Sequence, residues 1–558
     1  MPGCVPRRWH CALAVLVLVA LIASACQSAP VAAPADTTPT PRAAVAVAEP
    51  TPTVTATPPP VASQNVDPTP MPTTAPQPPP NAQEESAASV ADLLVLSMLR
   101  GVPCPSDVAA AQVTCSVATL PLDVDTPVPG ENAEIMVALV DNGDPNNVGP
   151  VVFLNGGPGV GTITQAKNFV GASHDVLFVD HRGTGYSTPK LNCPEIDELW
   201  EAQFSDDPDI RLTGDGPLDA AYVACGERLA SQGIDFGHFN TTSAAVDIEL
   251  LRQLFGYEQW SIWGISYGTR LGLTVMRDHP DGVRSAVLDS LVPFEVDFFA
   301  TIPENGMRAI EALDQACDVD DCAFDHGDFL TTLTELVQEL NETPVVVTAT
   351  RPITGQQFPF RVDGEQLVDL VFTQLYSTRA IRALPRQIAR AEFGGIEEIV
   401  ASFVTRRDPG QFDLSIGLYY TTWCREEFPF YDESADDDFL GGLDPQFGPA
   451  VAGALSSDGV GTFCDAFAVE PAPTLEDEPL VSAIPTLVFA GSFDPITPPA
   501  WSQQVADALP NSFYVEMANH GHGMSTSCPV SIRLAFLIDA STAPDTTCAE
   551  ETEPPDFE

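Results

Sequence analysis

Gly264-Ile265-Ser266-Tyr267-Gly268 sets a serine between two glycines, after an apolar run that reads as a strand and before a stretch with helical spacing. In that context a sharp strand-to-helix turn thrusts the hydroxyl outward, and side chains at the flanking positions would clash. The helix N-terminus adds backbone N–H groups and a positive dipole end for a developing oxyanion. A serine hydroxyl is a weak nucleophile, so it needs a base, and the base needs an acid to orient it. On this kind of turn the partners follow in the order Asp, then His. Of eight histidines, only His520 and His522 lie beyond the last predicted strands, in Asn519-His520-Gly521-His522-Gly523. A glycine on each side favours His522, as a ring on a tight loop. The acid is expected directly after an apolar strand, where Gly491-Ser492-Phe493-Asp494-Pro495 supplies Asp494. Asn155-Gly156-Gly157-Pro158-Gly159 brings bare backbone beside the serine, so Gly157 or Gly156 would join Tyr267 as oxyanion donors. A phosphate cradle is the rival use of these glycines, but no Gly-Lys-Ser/Thr follows and Pro158 lacks a donor.

The elements that must hold these residues alternate. Glu134–Val140 reads as a strand, and Val151–Leu154 and Val176–Val179 are short apolar runs suited to a sheet covered on both faces. Ala244–Leu254 has helical spacing, Trp260–Trp263 leads into the serine turn, a helix runs to about His279, and Ser285–Leu288 is the next strand. This alternation predicts an α/β fold with a largely parallel sheet. From about residue 300 to 475 the pattern turns helical or irregular, and strands return at Thr486–Ala490 and Phe513–Met517.

Taken in order, NGGPG, Asp180-His181-Arg182-Gly183-Thr184-Gly185-Tyr186-Ser187, GISYG, FDPITPP and GHG resemble the proline iminopeptidase/tripeptidyl aminopeptidase branch of the α/β-hydrolases. The resemblance runs from roughly residue 115 to 545. Asn155 and His181 depart from it, standing where those enzymes usually carry histidine and glutamine. It implies an α/β-hydrolase core (88–299 and 476–548) split by a large, mainly helical cap (300–475), with an acidic tail at 549–558. It also implies hydrolysis of peptides from a free N-terminus through a serine acyl-enzyme, with no cofactor. The substrate ammonium would need carboxylates in the cap, and Trp423-Cys424-Arg425-Glu426-Glu427 resembles the family's Cys-x-acid segment. Glu426 is thus the candidate and Glu427 the reserve. Asp180 and Arg182 are read as an ion pair bracing the oxyanion loop. The alternatives are a carboxylic-ester hydrolase with the same triad, and a surface binding lipoprotein without activity.

Composition sets the remaining bounds. The 558 residues carry 77 acidic and 24 basic side chains, a formal charge of −53. Such a chain lacks the clustered cations that nucleic acid or an anionic lipid surface requires. Arg7 and Arg8, the apolar run Ala12–Ala23 and Ala23-Ser24-Ala25-Cys26 predict an export signal over residues 1–25. Ala-Ser-Ala-Cys also resembles a lipobox, which would make Cys26 an acylated anchor; the alternative is a freely secreted protein. Sixteen of the 53 prolines fall between residues 27 and 80, so 26–87 reads as a disordered tether. The ten later cysteines lack zinc-site spacing, and their even number in an exported chain suggests disulfides. Pairing neighbours would give 104–115, 193–225, 317–322, 424–464 and 528–548, although sequence does not fix connectivity.

Overall fold

Short runs buried on both faces form the centre of a nine-stranded sheet. The computed structural model describes residues 88–558 except 144–148, 203–204, 206–216, 320–321, 323–326, 408–413, 456–459, 551–556 and 558. The export signal, Cys26 and the tether lie outside the described residues. In chain order the strands are β1 (Met98–Val102), β2 (Val113–Pro121), β3 (Asn132–Val140), β4 (Val151–Leu154), β5 (Val176–Val179), β6 (Trp260–Ile265), β7 (Val283–Asp289), β8 (Val345–Thr350), β9 (Gln357–Val362), β10 (Thr486–Gly491) and β11 (Ser512–Met517). The large sheet runs β1-β2-β3-β5-β4-β6-β7-β10-β11. From β5 to β11 all neighbours are parallel, and β1, β2 and β3 add an antiparallel flank. Alternate residues serve opposite layers. Val152, Ile262, Leu288 and Val488 face one core, and Val151, Phe153, Trp263, Val287 and Phe489 face the other.

Register brings the strand ends into line. Leu154 pairs with Gly264, Ile265 with Asp289, and Asp289 with Phe489. The loops after β4, β6, β7 and β10 therefore leave one edge of the sheet together, at the carboxyl ends where open α/β sheets bind ligands. Helix Thr241–Leu254, capped by Asn240 accepting the Ser243 N–H at 2.8 Å, packs beside the helix Tyr267–Asp278 that follows β6.

Between β7 and β10 the chain makes a mainly helical insertion that also contains the two-stranded β8–β9 sheet. That hairpin departs from the helical or irregular pattern expected there, although Val345–Thr350 is rich in β-branched residues. The flanking strands β1 and β2 carry no continuous apolar run: β1 is mostly exposed, and β2 mixes buried and partly buried positions with Thr, Ser and Pro among them. Each of the five neighbouring cysteine pairs is bonded, with Cα–Cα distances from 4.8 to 5.9 Å.

Arg182 does not pair with Asp180. Its guanidinium meets Asp247 in a fork, with Nε and Nη2 each at 2.8 Å, and also donates to the Leu122 and His238 carbonyls. Asp180 instead accepts the Thr162, Ile163 and Tyr186 N–H groups, tying the chain beyond the glycine loop to the turn after β5. The two acids differ because Asp247 sits on a helix that sequence proximity could not bring to Arg182. Both members of this pair are buried, and removing one leaves an uncompensated charge. Arg182→Met should therefore cost about 3–5 kcal/mol in urea denaturation. A loss below about 1 kcal/mol would show that the pair contributes no more than an exposed one.

Candidate active site

Ser266 joins β6 to the helix at φ 57 and ψ −130, a strained conformation for a residue with a side chain. The surrounding glycines are steric requirements. A Cβ at Gly264 would meet the Gly268 backbone, and one at Gly268 would strike the Leu154 carbonyl. Ser266 donates its N–H to the Asp289 carbonyl at 3.0 Å. Tyr267 and Gly268 head the helix, where N–H groups have no acceptor within the helix.

The loop after β4 lies against this turn. A Cβ on Gly156 would fall 2.9 Å from Ser266 Cβ and 3.2 Å from its Oγ, so only bare backbone fits there. Gly157 and Gly159 have φ of 111 and 106, the left-handed region that glycine tolerates best. From the insertion, the Ser415 N–H donates to Gly159 O at 2.9 Å.

Asp494 and His522 are brought together: His522 Nδ1 lies 2.8 Å from Asp494 Oδ2. The acid is fully buried and also accepts from the Ile496 and Thr497 N–H groups and the Thr497 hydroxyl. Burial pushes its carboxyl up, but the His522 charge and these hydrogen bonds outweigh that and hold it below the usual carboxylate range. For His522, burial disfavours the imidazolium, yet Asp494 prevails and the ring's pKa is raised. His520 is placed elsewhere, with Nδ1 2.9 Å from Ala518 O and Nε2 2.7 Å from the Thr526 hydroxyl.

The insertion touches this pair as well. His522 donates its N–H to Tyr376 O at 3.2 Å, and the two rings stand 5.1 Å apart, edge to face. Arg308 donates to the carbonyls of Ser492 and Asp494. Neither residue carried a sequence signal, since each acts across more than a hundred residues. Thr497 did carry one, as the third residue after a turn aspartate.

Glu426 and Glu427 face inward. Glu426 accepts the Thr241 N–H at 2.7 Å and its hydroxyl at 2.6 Å, and its other near neighbour is Arg270 at 3.5 Å. Glu427 lies 2.6 Å from Arg270, an ion pair not aligned as a hydrogen bond, and accepts the Phe298 N–H. Burial pushes the Glu427 carboxyl up to about 8 despite Arg270. Both are at most 3% exposed, so a substrate ammonium would have to displace Arg270 to reach them. Asn155 presents its carbonyl to Gly268, where a Cβ would fall 2.8 Å from it, and His181 is buried, which lowers its pKa to about 4.

A parallel sheet of this order, with a serine turn after β6 and an acid–histidine pair after β10 and β11, is the arrangement of the α/β-hydrolase fold. Comparisons agree: residues 149–313 match the alpha/beta hydrolase fold family and residues 449–548 the TAP-like protein family. The chain is 28% identical over 195 residues to the tripeptidyl aminopeptidase of Streptomyces coelicolor, covering 32% of this chain and 35% of that protein. It is 25% identical over 194 residues to the serine protease Hip1 of Mycobacterium tuberculosis, covering 33% and 36%. With the proline iminopeptidase of Neisseria meningitidis it shares 26% identity over 149 residues, covering 26% and 34%. These alignments span about a third of each relative's length. The chain thus has the α/β-hydrolase fold, and the relatives it resembles are named as peptidases.

Proposed function

We propose that this protein is an exported serine exopeptidase that cleaves peptides from a free N-terminus, of the proline iminopeptidase or tripeptidyl aminopeptidase type. The observation that carries the reading is the strained Ser266 turn facing bare Gly156 backbone, on the same sheet edge as the Asp494–His522 hydrogen bond. In this mechanism His522 Nε2 takes the Ser266 proton as Oγ attacks the scissile carbonyl, and Asp494 holds the imidazole tautomer. The N–H groups of Tyr267 and Gly157, or Gly156, receive the oxyanion. His522 then protonates the leaving amine, and water releases the acyl group. Five disulfides fit an oxidising compartment, and acylation of Cys26 would tether the enzyme to a membrane by lipid alone.

A carboxylic-ester hydrolase is the second reading, favoured by the engagement of both candidate glutamates with Arg270. Aminoacyl- and tripeptidyl-amides with free and acetylated N-termini, assayed beside short acyl esters, separate the two. The exopeptidase should lose about 100-fold or more in kcat/KM on acetylation, the scale of a lost charge pairing in a desolvated site. Equal rates on blocked and free substrates would overturn it.

A further inference from the structure

A second acid stands beside the histidine loop. Asp289 ends β7, is fully buried, and its Oδ1 has no hydrogen-bond partner among the described residues. Its Oδ2 accepts the Met524 N–H at 3.0 Å. The next residue, Ser290, held at φ 56, accepts the Gly523 N–H at 2.9 Å through its hydroxyl. Asp289 and Ser290 thus grip both residues that follow His522, while the Asp289 carbonyl receives the Ser266 N–H. An asparagine would accept the Met524 N–H equally well without the desolvation cost of a charge. A buried carboxylate with one oxygen that meets no donor among the described residues therefore calls for a use of its charge.

We propose that Asp289 is a positioning residue for the proposed triad, fixing the His522 loop through Met524 and setting a second negative charge beside the imidazole. The proposal rests on the serine-hydrolase reading above. The proton passes from Ser266 Oγ to His522 Nε2, and Asp289 takes none of it; its charge favours the imidazolium, as a nearby opposite charge does. The charged groups around it are Arg533, which lies 3.8 Å over the Trp263 ring, His522 and Asp494. Burial pushes the Asp289 carboxyl up to about 6, against the pull of Arg533 and the Met524 N–H. For His522, burial lowers the pKa and the charges of Asp494 and Asp289 raise it. Deleting the Asp289 charge should therefore lower the His522 pKa and move the acid limb of reactivity to lower pH.

The test is the rate at which a fluorophosphonate probe labels the full-length protein between roughly pH 5 and pH 9, for wild type, Asp289→Asn and Asp289→Ala. Asp289→Asn keeps an acceptor for Met524, so its plateau rate should stay within about threefold of wild type, with the acid midpoint lower by roughly 0.5–1 pH unit. Asp289→Ala should show the same shift and a lower plateau. An unmoved midpoint in Asp289→Asn overturns the proposal. A wild-type protein that never labels would overturn the serine-hydrolase reading instead, and this inference with it. Histidine-labelled wild-type protein gives a measurement independent of any variant's folding. Its His522 ring should titrate above an ordinary imidazole, as the nearby carboxylates require, and a midpoint below the ordinary value overturns the proposal.

Discussion

Ser266→Ala should reduce peptide-amide turnover by about 10^5–10^6-fold, the range in which loss of a serine nucleophile leaves only oxyanion and binding contributions. The expected loss is large because the backbone packed against Ser266 offers no side-chain oxygen to take its place. Bare Gly156 backbone lies against Ser266, and the next helix residue contributes its N–H rather than a nucleophile. Stability should change by less than about 0.5 kcal/mol, since alanine accepts the same left-handed conformation at similar strain. The Ser266 N–H to Asp289 O bond also belongs to the main chain and survives the substitution. Turnover, probe labelling and a thermal melt on the same preparation decide the matter. A folded variant keeping more than about 1% of wild-type turnover would remove Ser266 from the nucleophile role.

Asp494→Asn should lower kcat by about 10^4-fold with little change in KM. An asparagine can still accept the Ile496 and Thr497 N–H groups through its remaining oxygen, so the turn should persist. Its amide NH2, however, would replace Oδ2, which now receives both the Thr497 hydroxyl and His522 Nδ1. Two donors would then face the ring, forcing the tautomer whose Nε2 carries the proton and cannot accept another from Ser266. Retention of kcat within about tenfold of wild type would show that another acid orients His522.

Much of this arrangement is readable from local sequence. Val151–Leu154 and Val176–Val179 are legible because burial on both faces forces continuous apolar runs. Ser266, Gly156, Gly157, Asp494 and His522 sit in short motifs whose meaning depends on the strand just before them or on glycines beside them. What escaped depends on partners distant in sequence. Sequence proximity pairs Arg182 with Asp180, two residues away, whereas its partner is Asp247 on a helix. Arg308, Tyr376 and Asp289 reach the acid and histidine loops only after the insertion and β7 are packed. Glu426 and Glu427 carry the expected charge at the expected segment, but the helix Ile416–Glu426 turns that end onto Arg270. Residue type was readable there, and orientation was not.

The long excursion between β7 and β10 bears on how the molecule folds. β7 ends at Asp289 and its parallel neighbour begins at Thr486, so a large loop must close before the two strands meet. Closing such a loop is slow, because the entropy is lost before the contacts that compensate it form. The serine turn belongs to the first segment, and Asp494 and His522 to the last. Under the proposed mechanism a nascent or half-folded chain would hold Ser266 without its acid–histidine pair, and competence would arrive with the final docking of the C-terminal strands. On the proposed exported-hydrolase reading, that order would delay activity until the last strands have docked.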